Sequence, residues 1–526
     1  MNKTAVSSSI KAWQPKSAKS WLASFGIAAP DITINDLALD SRDVSIHKAF
    51  LAVNGHKLDG REFIPQAVSL GAMLIIAECE TAEQHGQLQM RDHSVIVHFY
   101  QLNDRLSELG EMFYDLPSQK LQSIAVTGTN GKTSTTHFIA QLSELLGKRC
   151  GLIGTLGAGF LEYLNTTGNT TPNGITTHRI MAQMVNEGAQ MLAFEASSHA
   201  MVLKRITHVQ TKVAVFTNLS RDHLDFHRSM AEYAAAKRAL LTQPGLQHVV
   251  LNMQDQEHKN WLQVMSEMQP SLSPVLFGVA SAIPTQNTRY CIAQNVRYHR
   301  AGISLTLATW QGEIEVETAL LGEFNVANLA AAVASLLALG VDIEQIRQHV
   351  NKVQPVPGRM ELFSGCSDTN TTKKGTATFV VDYAHTPDAL EQALTSIRRH
   401  VSGNLWVLFG CGGERDQGKR PLMGEVAGRS ADKIILTSDN SRGEDTGQII
   451  QEIQSGITAS SNIKAASVLV IHDRQEAVMT AVKQARTDDV VVLAGKGHED
   501  YQIIDGQTLR YDERAYAKTL LQEAES

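Results

Sequence analysis

The sequence predicts an α/β fold divided into three domains, and three observations predict it. At 526 residues the chain exceeds what one hydrophobic core organises, and about three domains are expected. Short apolar runs bounded by turn residues alternate with helical patterns along nearly the whole chain. That alternation marks parallel sheets covered by helices. Polar, proline-bearing joins interrupt it near Asp115–Gln119 and at "QPVPGRME", where Pro355 and Pro357 break helix. The expected domains are a small α/β domain over residues 1–115, a central parallel-sheet domain over 116–355 and a doubly wound, Rossmann-like domain over 356–526. The first ~20 residues are expected to be a flexible tail.

In the first block "AFLAVNG" and "AMLIIAE" read as strands, with the helix-like "REFIPQAVSLG" between them. The second block opens with "SIAVTG" and continues through "CGLIGT", "MLAFEA" and "KVAVFT", each apolar and followed by a helical pattern. Near "AGISLTLATWQGEIEVETALL" the period becomes two, which predicts an antiparallel edge or flap. "NVANLAAAVASLLALG" then reads as a buried helix ended by Gly340. The third block supplies five more strands, "TFVVDY", "LWVLFG", "KIILTS", "VLVI" and "VVVLAG". "SGCSDTNTTKKG", Ser364 to Gly375, reads as a polar insertion.

The balance of 47 basic and 54 acidic residues gives a net charge of −7. A broad basic surface for nucleic acid is therefore not expected, and an anionic ligand must be held locally. The N-terminus lacks the apolar core of a signal peptide, and no apolar run is long enough to span a bilayer. The five cysteines, Cys79, Cys150, Cys291, Cys366 and Cys411, are odd in number and lack CxxC spacing. They read as reduced, buried thiols of a cytoplasmic protein.

Chemistry concentrates at strand ends. "SIAVTGTNGKTSTTHFIAQL" places Gly128, Thr129, Asn130, Gly131, Lys132, Thr133 and Ser134 between a strand and a helix. Glycines let backbone amides approach phosphate oxygens, the helix N-terminus adds partial positive charge, and a hydroxyl there can bind Mg²⁺. The full loop pattern has a further glycine where this chain has Val126. The strand "MLAFEASSHA" ends in Glu195, followed by Ser197, Ser198 and His199. The next ends in "TNLSRDHLDFH", with Asn218, Asp222, His223, Asp225 and His227. Carboxylates beside a phosphate loop suit Mg²⁺, a hard cation that prefers oxygen. Lys237, after a run of alanines, reads from its own chemistry as a solvated helix lysine. The loop "TSDNSRGED", Thr437 to Asp445, holds an arginine that turn formation does not need.

These stretches resemble the Mur ligase family, ATP-dependent amide-forming enzymes of peptidoglycan synthesis, over nearly the whole chain. The motifs that carry the resemblance are "GTNGKTS", "EASSH", "NLSRDHLDFH" with "AAAK", "GEFNVANLAAAVA", "PGRME", "DYAHTPDAL" and "GKGHE". The N-terminal "LALDSRDV" and "AFLAVNGHKLDGREFIPQA" resemble the UDP-binding domain of members that add the third peptide residue. The resemblance implies a UDP-binding first domain, a P-loop ATPase-like second and an amino-acid-binding third. It also implies a cytoplasmic monomer that binds neither nucleic acid nor membrane.

The resemblance further assigns roles. Gly128 to Ser134, Asn325, Asn328, Arg359, Asp382 and His385 would contact ATP. Thr133 and Glu195 would hold one Mg²⁺ and His223 a second, with Lys132, Glu195, His223 and Lys237 as the catalytic set. Lys237 matches a lysine that the family carbamoylates to N6-carboxylysine, which overturns its bland reading and makes it a metal ligand. Ser41, Arg42, His56, Thr170, Thr171, Ser197 and Arg205 would bind the UDP-muramoyl-dipeptide. Arg415, Asp439, Asn440, Arg442, Gly495 and Glu499 would bind the diamino acid. Arg442 implies meso-diaminopimelate rather than L-lysine, because a guanidinium pairs two-pronged with the extra carboxylate. Ser441 stands where such members typically carry proline. A related ligase such as folylpolyglutamate synthase lacks the UDP-type first block, and an ATP-driven motor is disfavoured by Val126.

Overall fold

A computed structural model describes residues 13–55, 58–282, 288–299, 302–363, 376–459, 463–465 and 467–525. Two compact units are formed, one up to Val275 together with Ser335–Gly340, the other from Leu276–Ala334 and Val341 onward.

Among the described residues the first unit holds two multi-stranded sheets besides the short pair Lys16–Ser17 with Thr33–Ile34. In the smaller, Asp36–Ala38, Lys48–Ala52, Leu74–Cys79 and Ser94–Tyr100 run parallel, and Leu88–Arg91 pairs antiparallel at the edge. The larger sheet carries the order Tyr163–Asn165, Gly157–Phe160, Cys150–Gly154, Met191–Glu195, Gln122–Thr127, Val213–Phe216, His248–Asn252. Its strands from Cys150 to Asn252 are parallel. They read as unbroken apolar runs because helices cover both faces.

The chain from Trp13 is ordered, which corrects the expected tail. Lys16–Ser17 pairs with Thr33–Ile34, and Ala18–Ala23 is helical with Ala18, Trp21 and Leu22 buried. Trp13 packs edge-on to Tyr114 at 4.9 Å and Trp21 edge-on to Phe113 at 5.0 Å. A few large apolar side chains inserted among distant aromatics hold a segment with too little periodicity to be read locally. Residues 1–12 lie outside the described residues.

In the second unit, Arg289–His299, Gly302–Thr309 and Gly312–Thr318 form an antiparallel meander, as the period-two pattern predicts. The Ala-rich helix is Glu323–Ala338, and Gly340 follows it at φ +82°. The final sheet has the order Glu361–Phe363, Thr378–Asp382, Val490–Ala494, Leu405–Phe409, Lys433–Leu436, Ser467–Val470. All its pairs are parallel except the first. The expected insertion 364–375, with Cys366, lies outside the described residues. The other four cysteines are buried free thiols.

Candidate active site

The phosphate-type loop leaves the strand Gln122–Thr127, which lies between the strands ending in Glu195 and Phe216. The two strand exits rich in polar groups therefore flank the loop. Gly128 has φ +148°, and a Cβ there would lie 1.8 Å from Thr217 Oγ1. Only glycine permits that approach. Gly131, at φ +85°, precedes the helix Lys132–Leu145. Asn130 N donates to Asn218 Oδ1 (2.8 Å), and Asn218 Nδ2 donates back to Asn130 O (3.1 Å). Thr217 Oγ1 donates to the same carbonyl at 2.6 Å. Lys132 Nζ donates to Gly128 O and Thr129 O, both at 2.9 Å, so the loop curls around its own ammonium. Val126 is a buried strand residue paired in register with Glu195. The shortened loop starts after it, so no glycine is needed there.

Glu195 is 1% exposed. Its Oε1 accepts from Thr133 Oγ1 (2.9 Å) and Thr155 N (2.8 Å), and its Oε2 from Thr155 Oγ1 (3.2 Å). Thr155 Oγ1 lies 3.1 Å from Thr170 Oγ1. Gly154 leaves room for this carboxylate, since a Cβ there would lie 2.4 Å from Oε1. A hydroxyl and a carboxylate meeting at a phosphate-type loop form an oxygen donor set that fits Mg²⁺. Among the described residues no three His, Cys, Asp or Glu side chains converge to hold a metal by themselves. Phosphate oxygens and water would complete such a site, the usual habit of Mg²⁺.

His223 has a left-handed backbone at φ +53° and lies 3.4 Å from Asp222 Oδ2. Its ring is 5.0 Å from that of His199. His227 Nε2 is 2.8 Å from Ser198 Oγ. The Asp225 side chain lies outside what the structure describes. Lys237 is not a solvated helix lysine: it is 1% exposed. Its Nζ sits 4.4 Å from the Tyr233 ring centroid. Burial, then the Lys132 charge, pushes its pKa well below the ordinary value, with Asp222 opposing. No ion pair reaches Lys237 among the described residues.

Thr171, Ser197 and Arg205 come together behind Glu195. Thr171 Oγ1 donates to Glu195 O at 2.7 Å and lies 3.1 Å from Ser197 Oγ, and Arg205 Nη1 donates to Thr171 O at 2.9 Å. Ser41 Oγ donates to Gln66 Oε1 (2.8 Å). Arg42, largely exposed, is held side-on by Asp40, whose carboxyl falls to about 2 through those bonds. His56 lies outside the described residues.

In the second unit Asn325 and Asn328 are buried on one helix; Asn325 Nδ2 donates to Leu321 O (2.9 Å) and Asn328 Nδ2 to Asn325 Oδ1 (3.3 Å). Arg359 stacks 4.3 Å over the Tyr383 ring. Asp382 accepts from Met360 N (2.9 Å) and Ala384 N (2.8 Å). Desolvation raises its pKa against the opposing charge of Arg359. His385 Nδ1 lies 2.7 Å from Tyr383 O.

The loop after Lys433–Leu436 is built around a buried lysine. Lys496 Nζ donates to Asn440 Oδ1 (3.1 Å) and Glu499 Oε2 (2.8 Å), and lies 3.6 Å from Asp439 Oδ1. Asn440 Nδ2 donates to the same Glu499 oxygen at 3.0 Å, and Asn440 Oδ1 accepts from Ile503 N at 2.9 Å. Burial alone would raise the Asp439 carboxyl, but Arg474 and Lys496 outweigh it and hold it below its ordinary value. A Cβ on Gly495 would lie 2.9 Å from Asp439 Oδ2. Arg474, fully buried, pairs with Glu513 (2.6 Å) and donates to Ser438 O (3.2 Å) and Ala494 O (2.8 Å). Arg442 has φ +53° and is docked by Ile503 O and Gly506 N. Its Nη1 donates to Gly413 O (2.8 Å) and Asn440 O (3.3 Å). The Nε–Nη2 edge makes no hydrogen bond among the described residues. Arg415 is exposed on the neighbouring loop.

Ser441 is 1% exposed, and its Oγ has no hydrogen-bond partner among the described residues. Its N–H donates to Asp439 O (3.0 Å), a bond proline cannot make. An amide bond thus does here what a ring does elsewhere. Ser441→Ala is expected to hold or raise stability by about 1 kcal/mol, since it removes a buried unpaired hydroxyl. The thermal midpoint reads this, and a fall of that size would show that the hydroxyl is bonded.

Three central residues escape the sequence reading: Thr155, Tyr233 and Lys496. Thr155 and Tyr233 carry no local signal. Lys496 stands inside "GKGHE", where its place between two glycines and an acid is the only hint.

Three family models match the chain in order. They are Mur ligase family, catalytic domain, over 33–114; Mur ligase middle domain over 126–336; and Mur ligase, glutamate ligase domain, over 358–497. The UDP-N-acetylmuramoyl-L-alanyl-D-glutamate–2,6-diaminopimelate ligase of Vibrio vulnificus strain YJ016 is 42% identical over 491 residues, 93% of this chain and 95% of that protein. A solved ligase structure of the same description has a TM-score of 0.68 at 34% identity, covering 97% of this chain and 99% of that one. MurF from Acinetobacter baumannii shares the fold, with a TM-score of 0.65 at 18% identity over 98% of this chain and 99% of its own. Similarity of this degree spans both proteins almost end to end, and the models take up each part of the chain in turn: the chain belongs to the Mur ligase family.

Proposed function

We propose that this chain is the ATP-dependent, ADP-forming ligase that joins meso-diaminopimelate to UDP-N-acetylmuramoyl-L-alanyl-D-glutamate, in cytoplasmic peptidoglycan precursor synthesis. The 42%-identical relative of that description supports the reading. The observation that carries the choice of amino acid is Arg442, with one nitrogen tied to Gly413 O and Asn440 O and its Nε–Nη2 edge open. That edge matches a carboxylate two-pronged, and L-lysine has no carboxylate at its distal end. Glu499, beside it through Asn440, would take the distal ammonium. No helix among the described residues is long and apolar enough to cross a membrane. The domains in this reading are 1–115 for the UDP-sugar, 116–355 for ATP and 356–526 for the amino acid.

The D-glutamyl carboxylate attacks the γ-phosphate of ATP, giving an acyl phosphate and ADP. The amine then attacks the acyl carbon and phosphate leaves. Positioning and electrostatics dominate such phosphoryl transfers. Lys132 would turn from the carbonyls of Gly128 and Thr129 to phosphate oxygens, with the loop amides beside it. Thr133, Glu195, His223 and a carbamate on Lys237 would hold two Mg²⁺ ions, which supply positive charge to the phosphates. Asn325, Asn328, Arg359, Asp382 and His385 would complete ATP binding, and Thr170, Thr171, Ser197, Arg205, Ser41 and Arg42 the nucleotide-sugar site.

Phosphate release tests the reading. It is expected only when ATP, the UDP-muramoyl-dipeptide and meso-diaminopimelate are all present, with L-lysine and L-ornithine as poor replacements. Release without the UDP substrate would refute it.

A further inference from the structure

The loop that carries Arg442 is not held by its own residues alone. It runs backbone to backbone against the loop Gly412–Asp416: Gly413 N donates to Asn440 O (2.9 Å), and a Cβ on Gly413 would lie 2.0 Å from Ser441 O. Two glycines make this approach possible and also leave the backbone free to shift. Behind the two loops lies a single ionic knot. Arg420, on the helix Lys419–Ser430, has a fully buried side chain. Its Nη2 donates to Gly412 O (3.3 Å) and to Glu444 Oε2 (2.9 Å), and its Nη1 to Glu452 Oε2 (2.8 Å). The other Glu444 oxygen accepts from Glu414 N. Glu444 N in turn donates to Ser441 O (3.0 Å). One carboxylate thus ties both loops to one buried cation.

We propose that Arg420 and Glu444 are positioning residues that set the amino-acid preference, by fixing the Gly413 carbonyl that aims the Arg442 guanidinium. This rests on the diaminopimelate reading above. Neither residue touches substrate in this scheme. Glu444 is the better probe, because Arg420 keeps Glu452 when Glu444 loses its charge. In Glu444→Gln the side chain has one accepting oxygen for two donors, the Glu414 amide and Arg420. Arg442 then keeps its charge and loses its aim.

The test is steady-state kinetics of the full chain with saturating ATP and UDP-muramoyl-dipeptide, with meso-diaminopimelate and L-lysine each varied. Wild type, Glu444→Gln, Glu444→Asp and Arg442→Ala are compared, with thermal midpoints for each. For Glu444→Gln, KM for diaminopimelate is expected to rise about tenfold, the size of one lost hydrogen bond to a charged group. Its kcat, its KM for ATP and its KM for L-lysine stay within about twofold, and Glu444→Asp recovers part of the loss. An unchanged KM for diaminopimelate overturns the proposal, and so does an equal loss with both amino acids alongside a lower midpoint. Should Arg442→Ala itself leave the preference intact, the pocket reading fails first.

Discussion

Lys237→Ala lowers ligase turnover by about 10²- to 10³-fold, the scale of removing one preorganised charge-stabilising group from an active site. The expectation follows from where the ammonium sits. It is buried against the Tyr233 ring, has no ion pair among the described residues, and shares its surroundings with Lys132. A second bare cation there does nothing for a metal ion and repels it. Reaction of the neutral amine with CO₂ forms an N–C bond and releases one proton, leaving a carbamate with two oxygens and a negative charge. On the proposed reading the same side chain would then become a ligand. Assays in CO₂-depleted buffer check this: wild-type turnover falls and returns with bicarbonate, while the variant responds to neither. Full activity of Lys237→Ala at low CO₂ would sink the carbamate role.

Arg442→Ala is the second large effect. It lowers kcat/KM for meso-diaminopimelate by about 2–4 kcal/mol, roughly 30- to 1000-fold, as expected when one partner of a charged, hydrogen-bonded pair is removed. Activity with L-lysine changes little, since lysine offers the guanidinium no carboxylate. The ratio of kcat/KM for the two amino acids is the measurement, because it cancels any general loss of folding. A ratio equal to wild type would remove Arg442 as the reader.

The strands are legible in the sequence because their apolar runs are continuous and end in turn residues; the five predicted strands of the last sheet all form. The exits at Glu195 and Asn218 are legible for a related reason. A polar group directly after a buried strand marks the carboxyl edge, and the sheet order brings both exits to the loop at Gly128. Contacts between distant residues are not legible. Thr155 reaches Glu195 across 40 residues and Arg474 reaches Glu513 across 39, and no local pattern announces either pair. Lys237 misleads in the opposite sense: its run of alanines looks like a solvent face, yet Tyr233 and Ala236 bury with it. The stretch Lys16–Ala23 forms for reasons outside itself, through the Trp21–Phe113 ring contact and the apolar cluster around it.

The Arg474–Glu513 pair also joins residues that are far apart in the order of synthesis. Arg474 holds the carbonyls of Ser438 and Ala494, the residues directly before Asp439 and Gly495. Its charge is balanced by a carboxylate on the helix Glu513–Glu525. During synthesis every strand of this sheet leaves the ribosome before residue 513 does. Until then the guanidinium lacks its buried partner, a deficit of about 3–5 kcal/mol if the rest were folded. The loops after Ser438 and Ala494 are therefore expected to reach full stability only once Glu513 is in place, and a chain truncated before Glu513 is expected to show a lower thermal midpoint.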